Sequence, residues 1–296
     1  VYLLHWVAGL ESRQAFHRIE GTDAFFLTVD LPYEGRVEYK FEVHRHGNRY
    51  WVRDPHNDRL ARDPFGANSV CPMPGYVEPR WVEPEPGIRQ GRLETFGVES
   101  AEWGDVRGIQ VYLPAEYKPN KRYPLIICHD GRDYLKYAGI QGILDNLIHR
   151  HEMLPTVVAF TSGSEHRNSE YGANPRQVRF LCDELLPALE ARYGLTDDWR
   201  DRGLMGASFG AVSSLFAAWE RPGTFGRLIL QSGSLVFTDV GHHGRGPLWD
   251  PVVDFVNGLR RDPARLDARV FMSCGTFEGL IFYNRALAPL LDAAGV

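Results

Sequence analysis

The chain has 296 residues, 44% of them hydrophobic and 24% charged, with a formal net charge of −5. That length fits two domains or one large one, and the balance argues against nucleic acid or an anionic membrane surface as a partner. No apolar run approaches the ~18 residues of a membrane span.

Val1 stands inside an apolar run, so a natural N-terminus upstream is expected. Ala24–Asp30 and Arg36–His44 alternate in polarity; Val37, Tyr39, Phe41 and Val43 share one strand face, and Arg36, Glu38, Lys40 and Glu42 the other. Tyr50–Val52 reads as a further strand, and Asp54–Ser69 as irregular and polar. The segment reads as an all-β, immunoglobulin-like sandwich. Trp6, Tyr50 and Trp51 read as its core, with a platform for a sugar or aromatic ligand as the alternative. His44 and His46 lie on one face, where a metal pair is the alternative to exposed polar residues; no metal site is expected. Prolines and glycines between residues 72 and 92 mark a linker. The predicted domains are therefore 1–87 and 88–296.

In the second domain strands alternate with helices, which predicts a mainly parallel sheet. Leu93–Val98 and Gly108–Leu113 form an opening antiparallel pair. Tyr123–Cys128 and Thr156–Phe160 are continuous apolar runs, as strands buried on both faces require. Gly139–His149 is read as a helix, and Arg176–Arg192 as one amphipathic helix. Arg202–Met205 is a strand and Ala211 begins a helix. Arg227–Leu230 and Arg269–Cys274 are the next strands, and a helix containing Pro289 covers Phe282–Ala294. The four cysteines form no C-x-x-C pair. Cys128 and Cys274 read as free thiols in apolar strands, which suits a reducing compartment.

Gly206-Ala207-Ser208-Phe209-Gly210 matches G-x-S-x-G between a strand and a helix. Such a turn presents a serine at the top of an α/β-hydrolase sheet, at the positive end of the next helix. The plainer alternative is a glycine-rich turn with a capping serine. On the first reading Ser208 is the nucleophile and the backbone N–H of Phe209 one oxyanion donor. The second donor is expected in His129–Tyr134, where Gly131 allows close approach and Arg132 offers its N–H; a simple strand-to-helix turn is the alternative. Glu278, after Arg269–Cys274, is the candidate acid, against a surface glutamate near a turn. In this fold the histidine follows the acid in chain order, and none follows Glu278. It is expected beyond Val296. His242 or His243 is the rival base, and an inactive protein the third alternative.

The sequence resembles the enterochelin (ferric enterobactin) esterase-like proteins of the esterase D superfamily. The carrying segments are Cys128–Tyr134, Arg179–Glu190, Leu204–Gly210 and Cys274–Leu280, with Arg167–Tyr171 resembling the family's Arg/Glu-Tyr loop. The resemblance implies an α/β-hydrolase with a Ser–His–acid triad, no cofactor, and a small-molecule ester as substrate. That substrate is an ester of a catecholate siderophore, cleaved in the cytoplasm to release iron. Asp130, Arg132, Arg167 and Tyr171 become substrate-binding candidates, with Arg132, Arg167 and Arg176 as a basic rim. Related esterases act on feruloyl and other acyl esters. A ligand-binding protein on a degenerate hydrolase fold and an acyl transferase are the alternatives from other classes.

Overall fold

The computed structural model describes residues 1–83, 85–239 and 241–296. The chain forms two compact units, Val1–Arg80 with Gly275–Gly279, and Trp81–Cys274 with Leu280–Val296.

The first unit is all-β. Its strands are β1 (Tyr2–His5), β2 (Arg13–Ala15), β3 (His17–Arg18), β4 (Phe25–Phe26), β5 (Arg36–Arg45), β6 (Asn48–Val52), β7 (Leu60–Asp63) and β8 (Gly66–Pro72). Six of them make a sheet in the order β2-β1-β5-β8-β7, with β6 also pairing to β5, while β3 and β4 make a separate two-stranded sheet. The second sheet is thus a short hairpin where a full sandwich layer was expected.

Two sequence expectations are corrected here. Residues 54–59 are irregular as expected, but 60–63 and 66–69 are strand, and polar side chains of the segment bond to the sheet. Ser69 Oγ accepts the Asp54 N–H at 2.9 Å, and Asn57 Nδ2 donates to Val70 O at 2.8 Å and to Tyr39 Oη at 3.0 Å. Glu42, assigned to the solvent face, is buried. Arg13, His44 and Trp51 donate to its carboxylate at 2.8, 2.6 and 3.2 Å. The Arg13 bond, then that of His44, pulls its pKa down to about 2. His44 is thereby committed to Glu42, and His46 sits in the following turn with φ 51° rather than beside it.

The second unit holds β9 (Arg92–Ser100), β10 (Asp105–Leu113), β11 (Leu125–Cys128), β12 (Val157–Phe160), β13 (Arg202–Ala207), β14 (Arg227–Gln231) and β15 (Arg269–Ser273). They form one mixed sheet in the order β15-β14-β13-β11-β12-β10-β9. β11 to β15 run parallel, and β10 joins antiparallel to β9 and β12. Central strands are apolar because both faces are covered: Ile127, Val157, Ala159, Leu204 and Leu230 are fully buried. The chain steps from β11 to β12 on one side and then to β13 on the other. The loops leaving β11 and β13 therefore diverge, and such a switch point opens a crevice at the strands' C-terminal ends.

The helices are α1 (Gly131–Tyr137), α2 (Ile140–His149), α3 (Arg167–Tyr171), α4 (Pro175–Arg179), α5 (Leu186–Arg192), α6 (Phe209–Glu220), α7 (Asp250–Arg261) and α8 (Ile281–Ala293). The single helix expected over Arg176–Arg192 is α4 and α5 joined through a π-helical stretch, Phe180–Leu185. Pro187, in the first turn of α5, has no N–H to give the preceding turn, so the wider register is tolerated there. α6 is buried along nearly its whole length, which its small residues Ala211, Ser213, Ser214, Ala217 and Ala218 permit. Asn146 on α2 donates to the carbonyls of Trp81 and Glu83, both at 2.8 Å, fixing the chain where this unit begins. Among the described residues no helix is long and apolar enough to cross a membrane.

Candidate active site

Ser208 stands between β13 and α6 with φ 57° and ψ −118°, a region that residues other than glycine rarely occupy. Hydrogen bonds on both sides hold it there. Its N–H donates to Gln231 O at 3.0 Å, and its carbonyl accepts from Ala211 N at 3.2 Å and Ser234 N at 3.2 Å. The residue is partly buried, and its Oγ lies 2.9 Å from Ser234 Oγ. The N–H groups of the first helical turn have no intrahelical acceptor, so Phe209 N–H is directed outward at the start of α6. The Phe209 ring is buried against Trp249, with centroids 4.9 Å apart, which anchors that end of the helix.

The flanking glycines are required by contact. A Cβ on Gly206 would stand 2.5 Å from the carbonyl carbon and oxygen of Gly210. Gly206→Ala should therefore lower the free energy of chemical unfolding by about 1–3 kcal/mol, the usual cost of overpacking. Gly142→Ala in α2, where a Cβ would meet nothing within 4 Å, should not lower it. Equal effects from the two substitutions would remove the packing explanation. A Cβ on Gly210 would meet His129 Cβ at 3.2 Å and Asp130 Oδ2 at 3.3 Å, so this glycine lets the loop after β11 approach the elbow.

In that loop His129 is completely buried. Its Nδ1 lies 3.2 Å from both Met205 O and Ser214 Oγ, its Nε2 lies 3.0 Å from Ser213 Oγ, and its ring meets the Tyr171 ring edge-on at 4.9 Å. Burial drives its pKa down to about 4. It is a neutral packing group that joins the loop to β13 and α6. Between pH 6.5 and about 4 the unfolded chain takes up a proton at His129 that the folded chain refuses. Stability therefore falls as pH drops through that window, by up to about 3 kcal/mol. Denaturant titrations across this range should show the fall in the wild type and a shallower one in His129→Gln; identical slopes would contradict the assignment.

Asp130 adopts a left-handed conformation, φ 55°. Arg167 forks onto its carboxylate from Nε and Nη2, the Nε contact at 2.5 Å, and Nη2 also lies 3.4 Å from Ala207 O. One guanidinium thus links α3, the β11 loop and the residue preceding Ser208. Nearby, Arg107 makes a two-point pair with Glu170 at 3.1 and 3.0 Å, and Ser164 adds a bond from its hydroxyl at 2.6 Å and one from its N–H at 3.1 Å. Burial opposes ionisation of Glu170, yet these donors outweigh it and hold the carboxyl below its usual range. Sequence reasoning missed this pair, whose members stand 63 residues apart on β10 and α3.

The structure corrects three predicted roles. The Gly131 N–H is committed to Thr161 O at 2.6 Å, and a Cβ there would lie 2.3 Å from Phe160 Cβ. Gly131 is glycine because α1 starts against β12, and its amide is not free for an oxyanion. Tyr171 is 1% exposed, its ring held between His129 and the Arg167 guanidinium, so it supports the loop rather than meeting a ligand. Arg176 is drawn from any common rim with Arg132 and Arg167: it lies over the Trp103 ring at 4.6 Å and donates to Glu102 O. Arg132 remains exposed, and its N–H reaches Ser162 Oγ only at 3.5 Å.

Glu278 sits in a turn after β15, where its carboxylate accepts the Gly275 N–H at 2.8 Å. The turn belongs to the first unit, tied by Ala8 N–H to Phe277 O at 2.6 Å, so Glu278 and Ser208 fall in different units. His242 and His243 stack at 4.8 Å, and with Asp250 they bring possible metal-ligand atoms within 4.8 Å of one another. Each imidazole, however, accepts a backbone N–H at Nδ1, from Gly244 and Arg245 respectively. His243 Nε2 in turn lies 2.8 Å from Asp250 Oδ1, so these side chains are engaged with the backbone and with one another.

Residues 100–281 match the family model described as Putative esterase. The chain belongs to that family. This esterase-family chain is 30% identical over 259 residues to the iron(III) enterobactin esterase of Escherichia coli O6:H1, covering 79% of this chain and 64% of that protein. It is 31% identical over 150 residues to the uncharacterized protein YjcH of Bacillus subtilis, covering 49% and 62% of the two chains. Against the iron(III) salmochelin esterase of E. coli O6:H1 the identity is 26% over 199 residues, 65% of this chain and 48% of that protein. The chain thus spans about half to just under two thirds of these curated relatives. Its fold superposes on the enterobactin esterase from Shigella flexneri, solved in the presence of 2,3-di-hydroxy-N-benzoyl-serine, with a TM-score of 0.69. That match covers 98% of this chain and 87% of that one at 20% identity. The α/β-hydrolase architecture of this esterase-family chain is shared with that structure.

Proposed function

We propose that the chain is a serine ester hydrolase acting on small-molecule carboxylic esters. The observation that carries this reading is Ser208: a serine only partly buried and held at φ 57° where β13 turns into α6, beside helix-start amides. Ser208 Oγ attacks the ester carbonyl carbon, and the carbonyl oxygen takes the negative charge. Phe209 N–H stabilises that oxyanion, with Arg132 N–H exchanging its long Ser162 contact for the developing charge. Each such donor is worth about 3 kcal/mol in the transition state. Collapse breaks the ester C–O bond, and the proton given up by Ser208 Oγ passes to the departing alkoxide to make the alcohol. Water then hydrolyses the acyl-serine to the acid, returning a proton to Oγ. Ser234 orients the hydroxyl. Glu278 is the proposed acid of the triad. The histidine is assigned to none of the residues in the sequence, and His129 is unsuited because both its nitrogens are engaged.

For the substrate we propose an ester of a catecholate siderophore, hydrolysed in the cytoplasm. Similarity to the enterobactin and salmochelin esterases supports the substrate class. A feruloyl ester is the second reading, supported by 26% identity over 160 residues to an endo-1,4-beta-xylanase/feruloyl esterase of Xylanibacter ruminicola. A fluorophosphonate probe followed by peptide mass spectrometry tests the nucleophile. The adduct is expected on the peptide containing Ser208, and an adduct confined to another residue would refute it. Parallel hydrolysis of enterobactin and a feruloyl ester separates the two substrates.

A further inference from the structure

The chain leaving β14 passes through Ser232, Gly233 and Ser234, and it is held from three sides. Ser232 N–H donates to Ser273 O at 2.7 Å, and Ser234 N–H donates to Ser208 O at 3.2 Å. Asn284 on α8, 5% exposed, donates from Nδ2 to Gly233 O at 2.9 Å. These bonds leave Ser234 Oγ 2.9 Å from Ser208 Oγ. One of the two hydroxyls must be the donor, and burial decides which. Ser234 is 2% exposed, and among the described residues its Oγ has no hydrogen-bond partner except Ser208 Oγ. A buried hydroxyl carries one proton and needs an acceptor for it. Ser208 is only partly buried, so its own proton has solvent as an outlet. The Ser234 proton therefore points at Ser208 Oγ, and the Ser208 proton points away from Ser234.

We infer that Ser234 is a second catalytic serine, which donates a hydrogen bond to the attacking oxygen and keeps its own proton throughout. The inference rests on Ser208 being the nucleophile, and it gives Ser234 a part in the chemistry beyond orienting that hydroxyl. As the Ser208 proton leaves for a base, an imidazole or water, negative charge gathers on Oγ while its bond to the carbonyl carbon forms. When the acyl-serine is hydrolysed, the carbon–Oγ bond breaks, its electron pair returns to Oγ, and Oγ takes a proton back. At both moments the neutral bond from Ser234 becomes a charge-assisted one, roughly twice as strong. Such a gain appears only as the charge develops, so it lowers the barrier rather than tightening substrate binding.

The rate of fluorophosphonate labelling on the Ser208 peptide, measured on the whole protein, tests this. In that reaction Oγ bonds to phosphorus, the P–F bond breaks, fluoride leaves with its electron pair, and the Ser208 proton goes to the base. Ser234→Ala should slow labelling by about 10–100-fold, the span of one hydrogen bond to a charged group. Its unfolding midpoint should stay at the wild-type value, because the Ser208 hydroxyl can bond to solvent instead. Ser234→Thr keeps the hydroxyl and should restore most of the rate. An adduct on Ser208 that forms equally fast in wild type and Ser234→Ala would overturn this inference and leave the nucleophile standing. A slow Ser234→Ala whose midpoint also falls, or a folded Ser234→Thr as slow as Ser234→Ala, would overturn it too, since either marks a packing role. No adduct on Ser208 in the wild type would remove the nucleophile reading and this inference together.

Discussion

Ser208→Ala should reduce kcat for a small ester such as p-nitrophenyl acetate by roughly 10⁴-fold or more, the scale on which nucleophile removal acts in serine hydrolases. The loss follows from the proposed chemistry, because no covalent intermediate forms without Oγ. Stability should respond differently, and this makes the experiment specific. Ser208 is held at φ 57° and ψ −118° by bonds to Gln231, Ala211 and Ser234. Alanine retains the same backbone penalty, so Ser208→Ala should fold with nearly the wild-type unfolding midpoint. Glycine adopts that conformation freely, so Ser208→Gly should be inactive and more stable by about 1 kcal/mol. A serine selected only for packing predicts neither the loss of turnover nor the gain with glycine. Ester turnover by Ser208→Ala within tenfold of wild type would sink the nucleophile assignment.

The elbow was legible in the sequence because its constraint is local. Gly206 and Gly210 must both lack side chains for one turn to close, and a five-residue pattern records that. The parallel strands were legible for a similar reason, since burial on both faces leaves uninterrupted apolar runs such as Tyr123–Cys128. What escaped were roles fixed by residues distant in sequence. Gly131 looked like a ligand-facing glycine until Phe160, from the next strand, was seen to occupy the space. Tyr171 looked like a contact residue until His129 and Arg167 enclosed it. β8 was hidden because its polar Asn68 finds a partner, Glu38, on a strand 30 residues earlier. Nor does anything near Glu278 announce that Ala8, far upstream, holds its turn.

Arg167→Met should cost both stability and turnover, and the two losses should separate under a second substitution. Asp130 keeps an 11% exposed side chain, and the Arg167 fork is the charge that compensates it. Removing one member of a fully buried pair costs ~3–5 kcal/mol, and this partly exposed pair should lose about 2–3 kcal/mol. The same fork joins the loop bearing the Arg132 N–H to Ala207, next to Ser208, at 3.4 Å. Its loss should let the two proposed oxyanion donors drift apart and lower kcat by about 10–100-fold, with KM changed far less, because such donors act mainly in the transition state. Arg167→Lys should not rescue it, since an ammonium cannot reproduce a planar two-point contact. Asp130→Asn combined with Arg167→Met leaves no unpaired charge, so the double variant should regain stability relative to Arg167→Met. It should not regain kcat, because the tie between loop and elbow stays broken. If stability and kcat recovered together, the pair would be acting through folding alone, and positioning of the oxyanion loop would have to come from the Gly210 contact with His129 instead.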